Sequence, residues 1–100
     1  MTFRVLLVDQ AQYDFEGIEG YLDARAPEQS ERFIRDFEET LGRIAAHALL
    51  RPEIRPGVRC ESLVRFRYHL WYRVFPEIEQ VEVFAVLHHR RGPEALEARF

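Results

Sequence analysis

The chain opens with Phe3, Val5 and Leu7 alternating with Arg4, Leu6 and Val8, the two-residue period of a strand with one face more apolar than the other. Asp9 ends that run. Asp9 and Gln12 have the spacing of a capping box, and Ala11, Phe15, Ile18 and Leu22 then recur at helical intervals, which predicts a first helix. Gly17 and Gly20 each weaken such a helix by about 1 kcal/mol relative to Ala, so either a neighbour packs closely against them, the favoured reading, or the helix is marginal alone. Pro27 suits the first turn of a second helix, with Glu28 and Glu31 near its positive end. Phe33, Phe37, Leu41, Ile44 and Ala48 form its apolar stripe, while Arg32, Arg35, Asp36, Glu39 and Arg43 fall elsewhere. The connection through Ala24, Arg25 and Ala26 is short enough to force the two helices into a hairpin.

Pro52, Pro56 and Gly57 break the helical period, and a period of two follows. It predicts strands from about Val58 to Val64, Tyr68 to Phe75 and Gln80 to His88, the last two joined antiparallel by the short turn Pro76-Glu77-Ile78-Glu79. Val81 to Leu87 is apolar enough to be a central strand covered on at least one face. Pro93 to Phe100 reads as a short final helix or a loose tail. The expected architecture is therefore α+β: an N-terminal strand, a helical hairpin, then a three-stranded antiparallel meander, with the hairpin on one face of the sheet and residues 1–100 forming one domain.

Composition narrows the setting. One hundred residues, 47% apolar and 31% charged, describe a single soluble core. The lone Cys60 forms no intrachain bridge and no zinc cluster, which suits a reduced, cytoplasmic location, and its expected role is a small apolar filler. No apolar run approaches the roughly 18 residues of a membrane span, and the N-terminal pattern is unlike a signal peptide. Neither a nucleotide-binding nor a hydrolase motif is present, so no cofactor, metal or small-molecule substrate is expected. All 14 basic residues are Arg, and the net charge of -3 is unevenly spread: residues 9–48 carry -6, residues 51–73 carry +4. That asymmetry suggests a local anionic partner more than general adhesion to nucleic acid, although strand arginines also commonly line solvated faces.

Three groups of residues together resemble the ParE/RelE superfamily of bacterial toxin-antitoxin toxins, nearer the ParE branch, over nearly the whole chain. They are the helical pair with Tyr13, Gly17, Ile18, Tyr21 and Leu22 followed by Pro27-Glu28 and the Phe33 to Ile44 stripe; the strand Tyr68-His69-Leu70-Trp71-Tyr72-Arg73-Val74; and the closing Val86-Leu87-His88-His89-Arg90-Arg91 with Pro93. The resemblance implies a small toxin of the plasmid-stabilisation type, neutralised by a cognate antitoxin that wraps it as helix and extended chain. In the ParE branch the implied target is DNA gyrase, inhibited by binding without catalysis. In the RelE branch it is mRNA on the ribosome, which the toxin cuts.

RNA cleavage needs a base or cation near the 2′-hydroxyl, cations on the phosphate and an acid for the leaving oxygen. If the chain were such a ribonuclease, His69, Arg73, His88 and Arg90 are its candidate catalytic residues, expected to face one groove, with Arg65 and Arg67 nearby. The acidic net charge and the plain C-terminus from Glu94 to Phe100 weigh against that, so the expected function is non-catalytic gyrase inhibition. The alternatives are the ribonuclease and an inactive member that binds only antitoxin. Arg59, Arg65, Arg67, Arg90 and Arg91 are the candidate partner-binding residues.

Other residues have plainer expected roles. His88 and His89, adjacent on a strand, point to opposite faces and do not share a metal, and His88 is expected to be structural more than functional. Tyr68, Trp71 and Tyr72 are expected in core or edge packing before base stacking. Asp14, Glu16 and Glu19 are expected on a solvated helix face.

Overall fold

The computed structural model describes residues 2–100. Strand β1 (Arg4–Leu7) leads into helix α1 (Asp9–Arg25) and helix α2 (Pro27–His47); β2 (Arg59–Ser62), β3 (Tyr68–Phe75) and β4 (Gln80–His88) follow, and a short helix α3 (Pro93–Glu97) closes the chain. The sheet order is β1-β4-β3-β2. The last three strands form the expected antiparallel meander, while β1 lies parallel to β4, from Arg4 beside Gln80 to Leu7 beside Val83. The sheet is thus mixed, with apolar β4 at its centre, and both long helices pack on one face.

The alternation read in β1 is directional: Phe3, Val5 and Leu7 join the helix-side core, whereas Arg4 and Leu6 are exposed. The α2 stripe does the same, with Phe33, Phe37 and Ile44 buried, and Phe33 lies within 6.0 Å of the Phe15, Phe37, Phe66 and Tyr68 rings. Tyr72 is fully buried and donates its hydroxyl to the Ala48 carbonyl at 2.9 Å, tying the end of α2 to β3. A bulge in the β3–β4 ladder shifts the register between Trp71 and Tyr72. As a result Val83 and Val86 pack with the helices, while Phe84, Ala85 and Leu87 join Val58, Trp71 and Leu96 in a second cluster on the opposite face. Helix α3 supplies Leu96 to that cluster, so the C-terminal segment is docked, not loose.

Four local expectations need correction. The residue before α1 is Val8, no side chain caps that helix, and Gln12 bonds Glu16 instead, so the Asp9 capping box does not form. Gly17 and Gly20 are exposed, and a Cβ on either would meet nothing within 4 Å; no element packs closely on them. The favoured close packing is therefore absent, and α1 instead packs its Ala11, Phe15, Ile18 and Leu22 face against the core. Asp36 lies inside the α2 stripe and is fully buried, because its carboxylate accepts the backbone N–H groups of Val64 (3.1 Å) and Arg65 (2.7 Å) and so closes the β2–β3 turn. Asp14 is not on a solvated face: it accepts from the Val86 backbone N–H at 2.9 Å and from both terminal nitrogens of Arg99 at 2.9 Å.

Candidate functional site

The site builds up where β3 and β4 reach the same end of the sheet. β1 stops opposite Val83, so β4 continues beyond it with one edge free of any strand. A strand edge left in this way needs partners for its backbone polar groups. Asp14 takes the Val86 N–H, and Arg99 donates to the Phe84 carbonyl at 3.2 Å while holding Asp14 bidentately. Both side chains of this pair are largely buried, at 14% and 12% exposure. The clamp ties α1, β4 and the C-terminus together, and it fixes α3 over the face of the sheet that the long helices leave open.

A groove of about 370 Å³ remains on that face, lined by His69, Trp71, Leu87, His88, His89 and Leu96 with Arg55, Arg91 and Glu97 at its rim. Arg55 and Glu97 form an ion pair across one end of it. His69 shares a hydrogen bond at 2.8 Å between its Nδ1 and the Ser62 hydroxyl, and its ring stacks on His89 with centroids 4.0 Å apart. Burial, then the neighbouring His89 charge, lowers the His69 pKa below its ordinary value. His88 is lowered as well, by burial first and then by Arg90, His89 and Arg67. Neutral imidazoles are therefore the resting state of both at pH 7.

On the other side of the same strand ends lies a shallower hollow between α1 and β4, lined by Tyr13, Gly17, Ile18, Tyr21, Tyr68, His88 and Arg91. Tyr13 and Tyr21 are exposed there, with the Arg25 guanidinium 3.9 Å over the Tyr21 ring. His88 borders both this hollow and the groove, with its ring edge-on to Tyr68 at 5.2 Å.

Of the four ribonuclease candidates, His69 and His88 both line the groove, whereas Arg73 and Arg90 do not. The His88 ring at the strand end also meets Tyr68 edge-on. Arg73 is held over the Phe84 ring at 4.4 Å and lies 5.3 Å from that of Phe100. Arg90 is exposed past the strand end and donates its backbone N–H to His88 Nδ1 at 3.0 Å. The register sets Tyr68 against His88 and His69 against Leu87 at these strand ends.

The partner-binding candidates also separate. Arg67, Arg90 and Arg91 cluster as exposed groups around His88 and the turn after β4. Arg59 is committed internally, donating Nε to the Arg51 carbonyl at 2.8 Å with Glu53 3.8 Å away. Arg65 stands apart from both, beside Arg32 and Arg35 of α2. Sequence reasoning missed Asp14, Asp36 and Arg99 as organising residues. Asp14 follows Ala11 by three and precedes Ile18 by four, and Asp36 follows Phe33 by three, so both fall on apolar stripes where a charge signals a buried partner. Cys60 is half-buried and has its thiol pKa pushed up to about 12 by burial and then Glu61, which leaves it an inert filler.

Residues 5–93 match the model of the ParE toxin of the type II toxin-antitoxin system parDE. The chain belongs to the ParE toxin family. Solved structures agree on the fold. A protein of the chromosomal ParDE toxin-antitoxin system from P. aeruginosa is 20% identical with a TM-score of 0.73, covering 87% of this chain and 96% of that one. The RelBE2 toxin-antitoxin complex from Mycobacterium tuberculosis gives 21% identity and a TM-score of 0.59 over 88% and 99%, and the isolated E. coli RelE toxin 19% and 0.54 over 96% and 94%. No curated protein sequence matches this chain. The ParE-type toxin fold thus carries, in this chain, an open sheet face with a stacked pair of histidines and a cationic strand end.

Proposed function

We propose that this ParE-type toxin inhibits DNA gyrase by binding it, without catalysing a reaction, and that a cognate antitoxin neutralises it in the cytoplasm. Family membership supports the toxin role, and the P. aeruginosa and M. tuberculosis proteins it is similar to come from toxin-antitoxin systems. The observation that carries the choice against RNA cleavage is that neither Arg73 nor Arg90 lines the groove that His69 and His88 share. Acid-base groups and phosphate-binding cations serving one phosphodiester must each come within hydrogen-bond reach of it. Arg73 is moreover spent on two aromatic rings. The exposed Arg67, Arg90 and Arg91 cluster and the neighbouring tyrosines suit protein contact.

The test pairs two assays on the purified chain. It is expected to block supercoiling of relaxed plasmid by gyrase, and to leave translating messages uncut. Codon-linked cleavage that disappears in His69→Ala, Arg73→Ala and His88→Ala would overturn the reading in favour of the ribonuclease. Failure of both activities, with retained co-elution with the product of an adjacent reading frame, would instead identify an inactive, antitoxin-binding member.

A further inference from the structure

We infer that Arg32, Arg35 and Arg65 form a docking site for an acidic polypeptide segment, one that offers two neighbouring carboxylates, on the outer side of α2. The three arginines and Glu39 line a hollow of about 290 Å³. Arg32 and Arg35 are three residues apart on α2 and share a side of it, and Glu39 follows Arg35 by one helical turn. Arg65 reaches the same hollow from the β2–β3 turn. Among the described residues, neither Arg32 nor Arg35 has a carboxylate within 4.0 Å, and Arg65 has only Glu39, at 4.0 Å. One of the three guanidinium groups therefore meets a carboxylate, at the limit of an ion pair, and two meet none, in a hairpin whose wider charge is strongly negative.

The arrangement is built, not a chance meeting of long side chains. Asp36, fully buried beneath the hollow, fixes the Arg65 backbone through its N–H and that of Val64. The turn is closed further by Leu63 N–H on the Tyr68 carbonyl and Tyr68 N–H on that of Phe66, at 3.0 Å each, and Phe66 packs edge-on to Phe33. The mobile part of Arg65 is thus its side chain alone, 67% exposed, over a rigid base. With the Asp36 charge committed to two backbone donors, the face presented to solvent is three cations and the Glu39 carboxylate.

The ligand follows from that chemistry. Guanidinium forks accept carboxylates bidentately, and Glu39 demonstrates that a carboxylate reaches the hollow. Glu28, Glu31 and Glu38 lie on the same helix, within two turns of the site. A long polyanion such as a DNA duplex runs into those charges, whereas two adjacent carboxylates meet the three arginines and Glu39 alone. A short acidic stretch of a protein partner is therefore favoured over nucleic acid. The inference stands apart from the gyrase reading, because it specifies the chemistry of a contact and not whose it is.

The test is a titration of the full-length chain with a fluorescent hexaglutamate peptide at low ionic strength, read by anisotropy and by NMR of the arginine Nε–H groups. The peptide is expected to shift the Arg32, Arg35 and Arg65 resonances. Arg32→Ala, Arg35→Ala and Arg65→Ala should each weaken binding about two- to fivefold, the range of an exposed ion pair. Glu39→Gln, which removes the internal competitor, should strengthen it by a similar factor, and Arg4→Ala on the opposite edge strand β1 should leave it unchanged. All these positions are exposed, so the variants should fold, which thermal melts will check. Peptide binding that leaves the three resonances unmoved, a Glu39→Gln variant that binds more weakly, or a short DNA duplex that outcompetes the peptide at this site would each overturn the proposal.

Discussion

On the side of the sheet that meets α1 and α2, the β3 and β4 residues Leu70, Tyr72, Val81 and Val83 are wholly buried. On the other side, His69, Trp71 and Arg73 of β3 stay partly open, and the short α3 covers only the Val58, Phe84, Ala85 and Leu87 patch. The same strands thus serve two regimes. The covered face holds the molecule together by apolar burial, where shape and volume decide the energy. The open face spends polar and aromatic side chains on hydrogen bonds, stacks and ion pairs that leave a groove, which is where a binding protein keeps its chemistry.

The sharpest way to break this contrast is at Phe37, on the covered side and in contact with Phe15 and Phe33. Phe37→Ala is expected to cost about 3–5 kcal/mol, measured by urea denaturation, a large share of a small domain's stability. This half of the molecule was legible in the sequence, because a helical stripe and a strand alternation each encode a face: Phe33, Phe37 and Ile44, and Phe3, Val5 and Leu7, went where their spacing sent them. What spacing does not encode is which strand pairs with which. The parallel placement of β1 beside β4 depends on the crossover through two helices, and no local pattern marks it.

A smaller loss is expected where the two faces are joined. Arg99→Ala leaves the Asp14 carboxylate largely buried with only the Val86 N–H, and should cost about 2–3 kcal/mol. Trp71, the single tryptophan, shares a cluster with Leu96 of α3, so its emission should shift to the red as α3 loosens. Glu97→Gln, which breaks the exposed Arg55–Glu97 pair on the same short helix, should cost less than about 1 kcal/mol. Equal losses from the two substitutions would show that the clamp has no special weight. Its acidic half carried a sequence signal, a charge on an apolar stripe, but Arg99 lies 85 residues from Asp14 and no spacing links them.

The covered side also holds a reserve at Gly20, whose missing Cβ meets nothing. Gly20→Ala should raise stability by about 0.5–1 kcal/mol through backbone entropy alone, seen as a higher melting temperature. The close packing first expected at this glycine predicts the opposite sign, so the measurement decides between an open helix surface and a hidden contact.

The finest distinction between the faces is their response to pH. On the covered face Tyr72, pushed up to about 12 by burial first and then Glu61, stays protonated throughout the neutral and acidic range. His69 and His88 are shifted downward from 6.5, so they hold fewer protons in the folded chain than in the unfolded one at pH values just below 6.5. Unfolding then takes up protons, and stability must fall as the pH drops from about 7 through 6.5 toward the lowered values, and recover as it rises again. His69→Asn preserves a polar partner for Ser62 and removes one titrating ring from the stack on His89. Melting temperatures between pH 7.5 and 5.5 should therefore decline less steeply in His69→Asn than in the parent chain. An unchanged slope would move the acid sensitivity from His69 to His88, at the strand end.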